Sequence, residues 1–245
     1  MRFFQKILIS IFICFFILNG KLESNNSDKN IPVVIIHGIL SNPLIMKPLE
    51  NKFQDAGYET YNYGYHSTEN NIRQQGIDFA EWLNENIQYG KFYLVSHSMG
   101  NLVGREMENY DSTLQIIRWV MIAPPNHGSE YADTLDNIFF YKWITKTPGQ
   151  ELLATSDAHF KSLSPPDCEF GIIAGGKKNN KGYNPFIDAD NDGEVRVDEA
   201  YLKGAEDFII LKHAHTPMLF YEDTFKQCLY FIENGCFNRD TDYTN

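Results

Sequence analysis

Side chains able to do chemistry together gather in a serine flanked by small residues at 98, an acidic run over 188–199, and histidines at 213 and 215. At the first, Ser96-His97-Ser98-Met99-Gly100 follows an apolar run, residues 92–95, and opens a helical pattern. That is the sequence form of a nucleophile elbow, the strained strand-to-helix turn that lifts a serine hydroxyl clear of a sheet. Both outer positions are usually glycine because the strand and helix backbones nearly touch there. Ser96 departs from that pattern by one hydroxymethyl group, the mildest breach. A serine hydroxyl is a weak nucleophile by itself. It needs a base to take its proton, an acid to orient the base, and N–H donors for the developing oxyanion.

Candidates for the partners lie in the order such an elbow requires, serine then acid then histidine. Asp188-Ala189-Asp190-Asn191-Asp192-Gly193 follows a strand-like run over 169–174, and His213-Ala214-His215-Thr216-Pro217-Met218 follows another over 207–211. The spacing leaves the base open between His213 and His215, with the Thr-x-Met that follows favouring His215. Plainer readings stand beside these. Ser98 could be a helix N-cap, His213 a solvated loop residue, His97 a packing residue at the elbow's variable position, and Asn126 a turn former after a strand. The two histidines have no third metal ligand nearby in sequence.

The elements that must position these groups alternate. Strand-like runs at 32–36, 59–63, 92–95, 116–122, 169–174 and 207–211 are interleaved with helical patterns near 46–56, 70–88, after the elbow, and at 224–234. Leu49, Phe53 and Ala56 are expected inward on the first helix, and Phe225, Cys228, Leu229 and Ile232 on the last, with Gly235 as its stop. Such alternation predicts an α/β fold with a mostly parallel sheet and helices on both faces. At 245 residues, with 43% hydrophobic and 22% charged content, the chain is of a size commonly folded as one domain. A net charge of −11 argues against nucleic acid or an anionic membrane as partner, since phosphates would be repelled.

The amino terminus stands apart. Arg2 and Lys6 precede an apolar run at 7–18, and polar residues follow. This run is short for a bilayer span and suits the core of a secretory signal, so residues 1–24 are expected to direct export to a secreted or periplasmic location. An uncleaved segment anchoring the chain to a membrane is the competing reading. Beyond it lie Cys168, Cys228 and Cys236. Cys228 and Cys236 could pair in an oxidising compartment, although a small buried apolar side chain is the plainer reading of Cys228.

Taken together, His37-Gly38-Ile39, the Ser98 elbow, Pro124-Pro125-Asn126-His127-Gly128-Ser129, Asn191-Asp192-Gly193-Glu194-Val195 and His215-Thr216 resemble the small lipases and esterases of the α/β-hydrolase superfamily, the triacylglycerol-lipase-like acylhydrolases. The resemblance implies a single α/β-hydrolase domain over 31–237 with a polar tail at 238–245. It also implies Ser98 as nucleophile, Asp192 as acid, His215 as base, and the backbone N–H groups of Ile39 and Met99 as the oxyanion hole. The implied activity is hydrolysis of an apolar acyl ester, a small molecule or a lipid, with no cofactor and no metal. A thioesterase or an acyltransferase would use the same triad, and the oligomeric state is left open. Residues 128–166, with Phe139, Phe140, Tyr141 and Trp143, fall where such hydrolases carry a helical lid; the same aromatics would also suit a core helix.

One competitor remains. Residues 188–199, DADNDGEVRVDE, satisfy the calcium-loop template D-x-[DN]-x-[DN]-G-x5-E in full, with Asp188, Asp190, Asp192 and Glu199 at ligand positions. Gly182 and Pro185 deny the loop its preceding helix, no second copy exists, and Asp192 cannot easily serve both an ion and a histidine. An exported calcium-binding protein is therefore the non-enzymatic alternative. A weak calcium at Asp188 or Asp190 would be compatible with either reading.

Overall fold

The computed structural model describes residues 28–136 and 139–240. The leader at 1–24 and residues 241–245 of the polar tail lie outside the described residues. The strands are β1 (Val33–Ile36), β2 (Thr60–Tyr63), β3 (Lys91–His97), β4 (Gln115–Ile122), β5 (Glu169–Gly175) and β6 (Asp207–Leu211). They form one sheet in the order β2-β1-β3-β4-β5-β6, and every neighbouring pair is parallel. Parallel neighbours need crossover connections, and helices supply them. These are α1 (Lys47–Asp55), α2 (Ile72–Asn86), α3 (Gly100–Tyr110), α4 (Glu130–Asp136), α5 (Phe139–Glu151) and α6 (Val197–Ala200), with α7 (Glu222–Asn234) closing the chain.

The two faces are built from alternate residues of the same strands, because successive side chains on a strand point to opposite sides. Val34, Ile36, Phe92, Leu94, Trp119, Met121 and Ile172 pack with α2 and α3 through Phe79, Leu83, Leu102 and Val103. Val33, Ile35, Tyr93, Val95, Val120 and Ile173 pack with α1 and α7 through Leu49, Phe53, Cys228 and Phe231. Burial on both faces is why these strands read as continuous apolar runs.

Boundaries moved where local chemistry ends an element. Asn71 caps α2, its side chain accepting from the Gln74 amide at 2.7 Å, so the helix starts inside the expected 70–88. Ala56 falls just past the end of α1 as its C-cap and packs, half-buried, against the core, before Gly57 turns the chain at φ +91°. The last helix begins at Glu222, two residues before the expected 224, and stops at Gly235 as expected, with φ +74°. Leu229 on that helix is half-buried. Cys168, Cys228 and Cys236 are free thiols; Cys228 is buried and Cys236 exposed, so no bridge joins them.

Candidate active site

Ser98 sits where β3 ends and α3 begins, at φ +53°, a backbone region costly for a side chain bearing Cβ. The turn is tight on both sides. A Cβ at Gly38 would lie 2.7 Å from Ser98 Cβ, and one at Gly100 only 2.5 Å from the His37 carbonyl oxygen. Only glycine fits either place. The helix does not use Ser98 as a cap: its N-cap is Met99, without a side-chain hydrogen bond.

The Ser98 hydroxyl donates instead to His215 Nε2 at 2.9 Å, and His215 Nδ1–H donates to Asp192 Oδ2 at 2.7 Å. All three are almost wholly buried. Asp192 is held in turn, its Oδ1 accepting from the amides of Glu194 at 2.9 Å and Val195 at 2.8 Å. The His215 amide donates to the Asp192 carbonyl at 2.9 Å, tying the two loops by backbone as well as side chain. Burial opposes a charge on the imidazole. The carboxylates of Asp192 and Glu194 and the Asp192 hydrogen bond outweigh it, holding the His215 pKa up to about 9.

Other candidates go elsewhere. His213 pairs with Asp223 at 2.8 Å and stacks on Tyr221, and so serves a separate surface contact. His97 is kept neutral by burial, with the neighbouring His215 adding to the effect, and its Nε2–H donates to the His215 carbonyl at 3.1 Å. His37 stacks on Tyr65, whose hydroxyl donates to the His37 carbonyl, and burial lowers its pKa as well. Asn126 donates to the Ala200 carbonyl and anchors the strand-β4 exit to the acid loop.

The calcium template does not converge. Asp190 accepts the Lys177 amide, Asp192 the amides already named, and Glu199 the amides of Glu130 and Arg196. Among the described residues no group of three or more His, Cys, Asp or Glu side chains is placed to hold a metal ion.

Sequence reasoning missed the roles of two residues. Ser96, the departure from the usual elbow, is fully buried and takes part in a relay: Trp119 Nε1–H donates to Ser96 Oγ at 2.6 Å, and Ser96 O–H donates to Asn101 Oδ1 at 2.5 Å. Asn101 Nδ2 then donates to the carbonyls of Ser98 and Ile122, at 2.8 and 3.2 Å. A serine where glycine is usual was the available signal. The second is Glu194, whose carboxylate comes within 3.7 Å of His215 Nε2. Nothing in an Asp-Gly-Glu-Val run announces that fold-back.

Two recesses open on Ser98 and His215. One, of about 280 Å³, is lined by Ile39, Leu40, Leu135, Tyr141, Leu152 and Val195. The other, of about 260 Å³, runs past Gly38, Ile45, His97 and Thr216. Helices α4 and α5 thus roof the apolar recess with Leu135 and Tyr141, while Trp143 points outward, 65% exposed. Phe139 and Phe140 have side chains outside the described set. α5 is broken at Lys146, φ +51°, just before Pro148. The base of this roof is pinned by Ser129, whose amide donates to the Leu152 carbonyl and whose hydroxyl donates to the Glu194 carbonyl.

A parallel sheet with helices on both faces, and a serine elbow at the carboxyl end of its third strand, define the α/β-hydrolase fold. Solved structures share it. A Bacillus licheniformis lipase, BlEst2 in mature form, superposes with a TM-score of 0.69 at 20% identity, covering 86% of this chain and 94% of its own. An extracellular α/β-hydrolase of a Paenibacillus species gives 0.55 at 16% identity, covering 86% and 100%. A metagenomic carboxyl esterase, MGS0156, gives 0.60 at 13% identity, covering 78% and 66%. No family model and no curated protein matches the sequence. At these identities the likeness is one of fold.

Proposed function

We propose that this chain is an exported serine carboxylic-ester hydrolase of the lipase and esterase kind. The observation that carries the reading is the unbroken series Ser98 Oγ, His215 Nε2, His215 Nδ1, Asp192 Oδ2, each link 2.9 Å or shorter, at the floor of an apolar recess. In the proposed reaction Ser98 Oγ attacks the ester carbonyl as neutral His215 takes its proton. Asp192 fixes the imidazole tautomer and stabilises the imidazolium. The amides of Ile39 and Met99 take the oxyanion; Ile39 lines both recesses, and Met99 heads α3, where N–H groups are free of helical partners. His215 then protonates the departing alcohol, and water activated by the same imidazole releases the acid. The apolar lining of the larger recess favours an aliphatic acyl chain. Ser98→Ala should abolish p-nitrophenyl-ester turnover and fluorophosphonate labelling without changing the thermal unfolding of the protein. Turnover that persists in this variant rules Ser98 out.

Export rests on the basic and apolar character of residues 1–24, outside the described residues. Amino-terminal sequencing of protein recovered outside the cell should begin beyond residue 18; an intact Met1 there would refute cleavage.

A further inference from the structure

We propose that Glu194 selects substrates by charge, admitting esters whose alcohol portion is cationic or neutral and turning away those whose alcohol portion is anionic. This inference builds on the triad reading above. Glu194 lies at the junction of the two recesses and lines both. Its backbone is fixed: the amide donates to Asp192 Oδ1 at 2.9 Å, and the carbonyl accepts from Ser129 Oγ at 2.7 Å. The side chain, 51% exposed, therefore projects from a rigid strut into the substrate space. Among the described residues its ion-pair partner is His215, and no Lys or Arg nitrogen neutralises it.

The geometry of proton transfer makes the effect independent of which recess takes the acyl chain. The Ser98 Oγ–carbon bond forms first, giving the tetrahedral oxyanion; as this collapses the carbon–oxygen bond to the alcohol breaks, and the leaving oxygen takes its proton from His215 Nε2. Its oxygen must then lie within about 3 Å of that nitrogen. Glu194 Oε2 is 3.7 Å from the same atom. The leaving oxygen thus lies no more than about 7 Å from the carboxylate, and a charge two or three bonds along the alcohol lies within about 10 Å of it, where partly screened Coulomb energy changes rates by roughly three- to tenfold. Of the nearby acids, Asp133 adds to this sign, whereas Asp136 is paired with Lys142 at 3.0 Å. Burial and then the charges of Glu194, Asp136 and Asp133 push the Tyr141 phenol, in the apolar recess, up to about 12. The carboxylate product forms beside the same group and is repelled as it leaves.

The test uses three butyrate esters of nearly equal shape: choline, its neutral isostere 3,3-dimethylbutanol, and anionic 2-sulfoethanol. Wild-type protein should show kcat/KM for the choline ester about tenfold or more above that for the sulfoethyl ester. Glu194→Gln should reduce that ratio to within about threefold, and Glu194→Lys should reverse it. A wild-type ratio near one overturns the proposal, and so does a Glu194→Gln ratio equal to wild type. Should either variant fail to fold, wild type alone decides: the ratio must shrink between about 0.05 and 0.5 M salt as screening grows. Labelling of Ser98 by fluorophosphonate without hydrolysis of the choline ester also overturns charge selection, leaving the triad intact. Absence of both labelling and hydrolysis removes the hydrolase reading itself.

Discussion

Ser96→Ala isolates the hydroxyl that distinguishes this elbow. Alanine keeps the Cβ and adds no bulk, yet it leaves the Trp119 Nε1–H and Asn101 Oδ1 without the partners they have at 2.6 and 2.5 Å. Trp119, Ser96 and Asn101 all have zero exposure, so water is not at hand to replace the hydroxyl. An orphaned buried donor or acceptor costs about 1–3 kcal/mol, and two in contact sum to roughly 2–5 kcal/mol once neighbours relax. For a domain of this size that lowers Tm by about 5–15 °C. Asn101 cannot turn over to compensate, because its Nδ2 is needed by the Ser98 and Ile122 carbonyls. Loosening Asn101 also releases its hold on a serine at φ +53°, so kcat should fall about tenfold with KM little changed. Thermal unfolding followed by circular dichroism, with p-nitrophenyl butyrate kinetics, reads both effects. Trp119→Phe deletes the donor that Ser96→Ala orphans, and the double variant should lose less stability than the two single losses combined. A Ser96→Ala protein melting within about 1 °C of wild type would refute the relay.

Three further outcomes follow from the geometry of the site. Asp192→Asn should fold, since the amide oxygen can still accept from Glu194 and Val195, but kcat should drop on the order of 10³–10⁴-fold as the imidazole loses its orienting carboxylate. A loss below tenfold in steady-state kinetics would show that another group orients His215. In the proposed reaction His215 must be neutral to accept the Ser98 proton, so kcat/KM should rise with pH along a limb well above 6.5, toward about 9, set by burial against Asp192 and Glu194, with neutral His97 alongside. The raised folded-state value also means that protonated His215 stabilises the fold fully below pH 6.5 and loses that contribution as pH rises through about 9. A kinetic limb at or below 6.5 contradicts this balance.

Much of the architecture was legible from residue pattern. Apolar runs such as Val33–Ile36 and residues 92–95 marked strands buried on both faces, and the order elbow, acidic run, late histidine placed each group after a strand. Helix ends were less legible, as at Ala56 and Glu222, because capping and αL glycines trim an element one residue at a time. The stretch at 128–166 carried aromatics whose period suited either core or roof. Tyr141 faces the recess and Trp143 faces outward, a division set by how α4 and α5 seat over the recess.

By itself the sequence determined the parallel α/β order, the serine turn, and short lists of acids and histidines, because these depend on local period, glycine placement and chain order. That His215 rather than His213 meets Ser98, and that Asp192 meets the same ring while Asp190 and Glu199 satisfy backbone amides, required the tertiary structure. So did the Ser96 relay and the approach of Glu194 to the imidazole. Each joins groups carried on different elements: loops leaving different strands at the triad and at Glu194, and β3, β4 and α3 in the relay. Its length depends on sheet order and backbone direction at a distant turn, and no local spacing encodes those quantities.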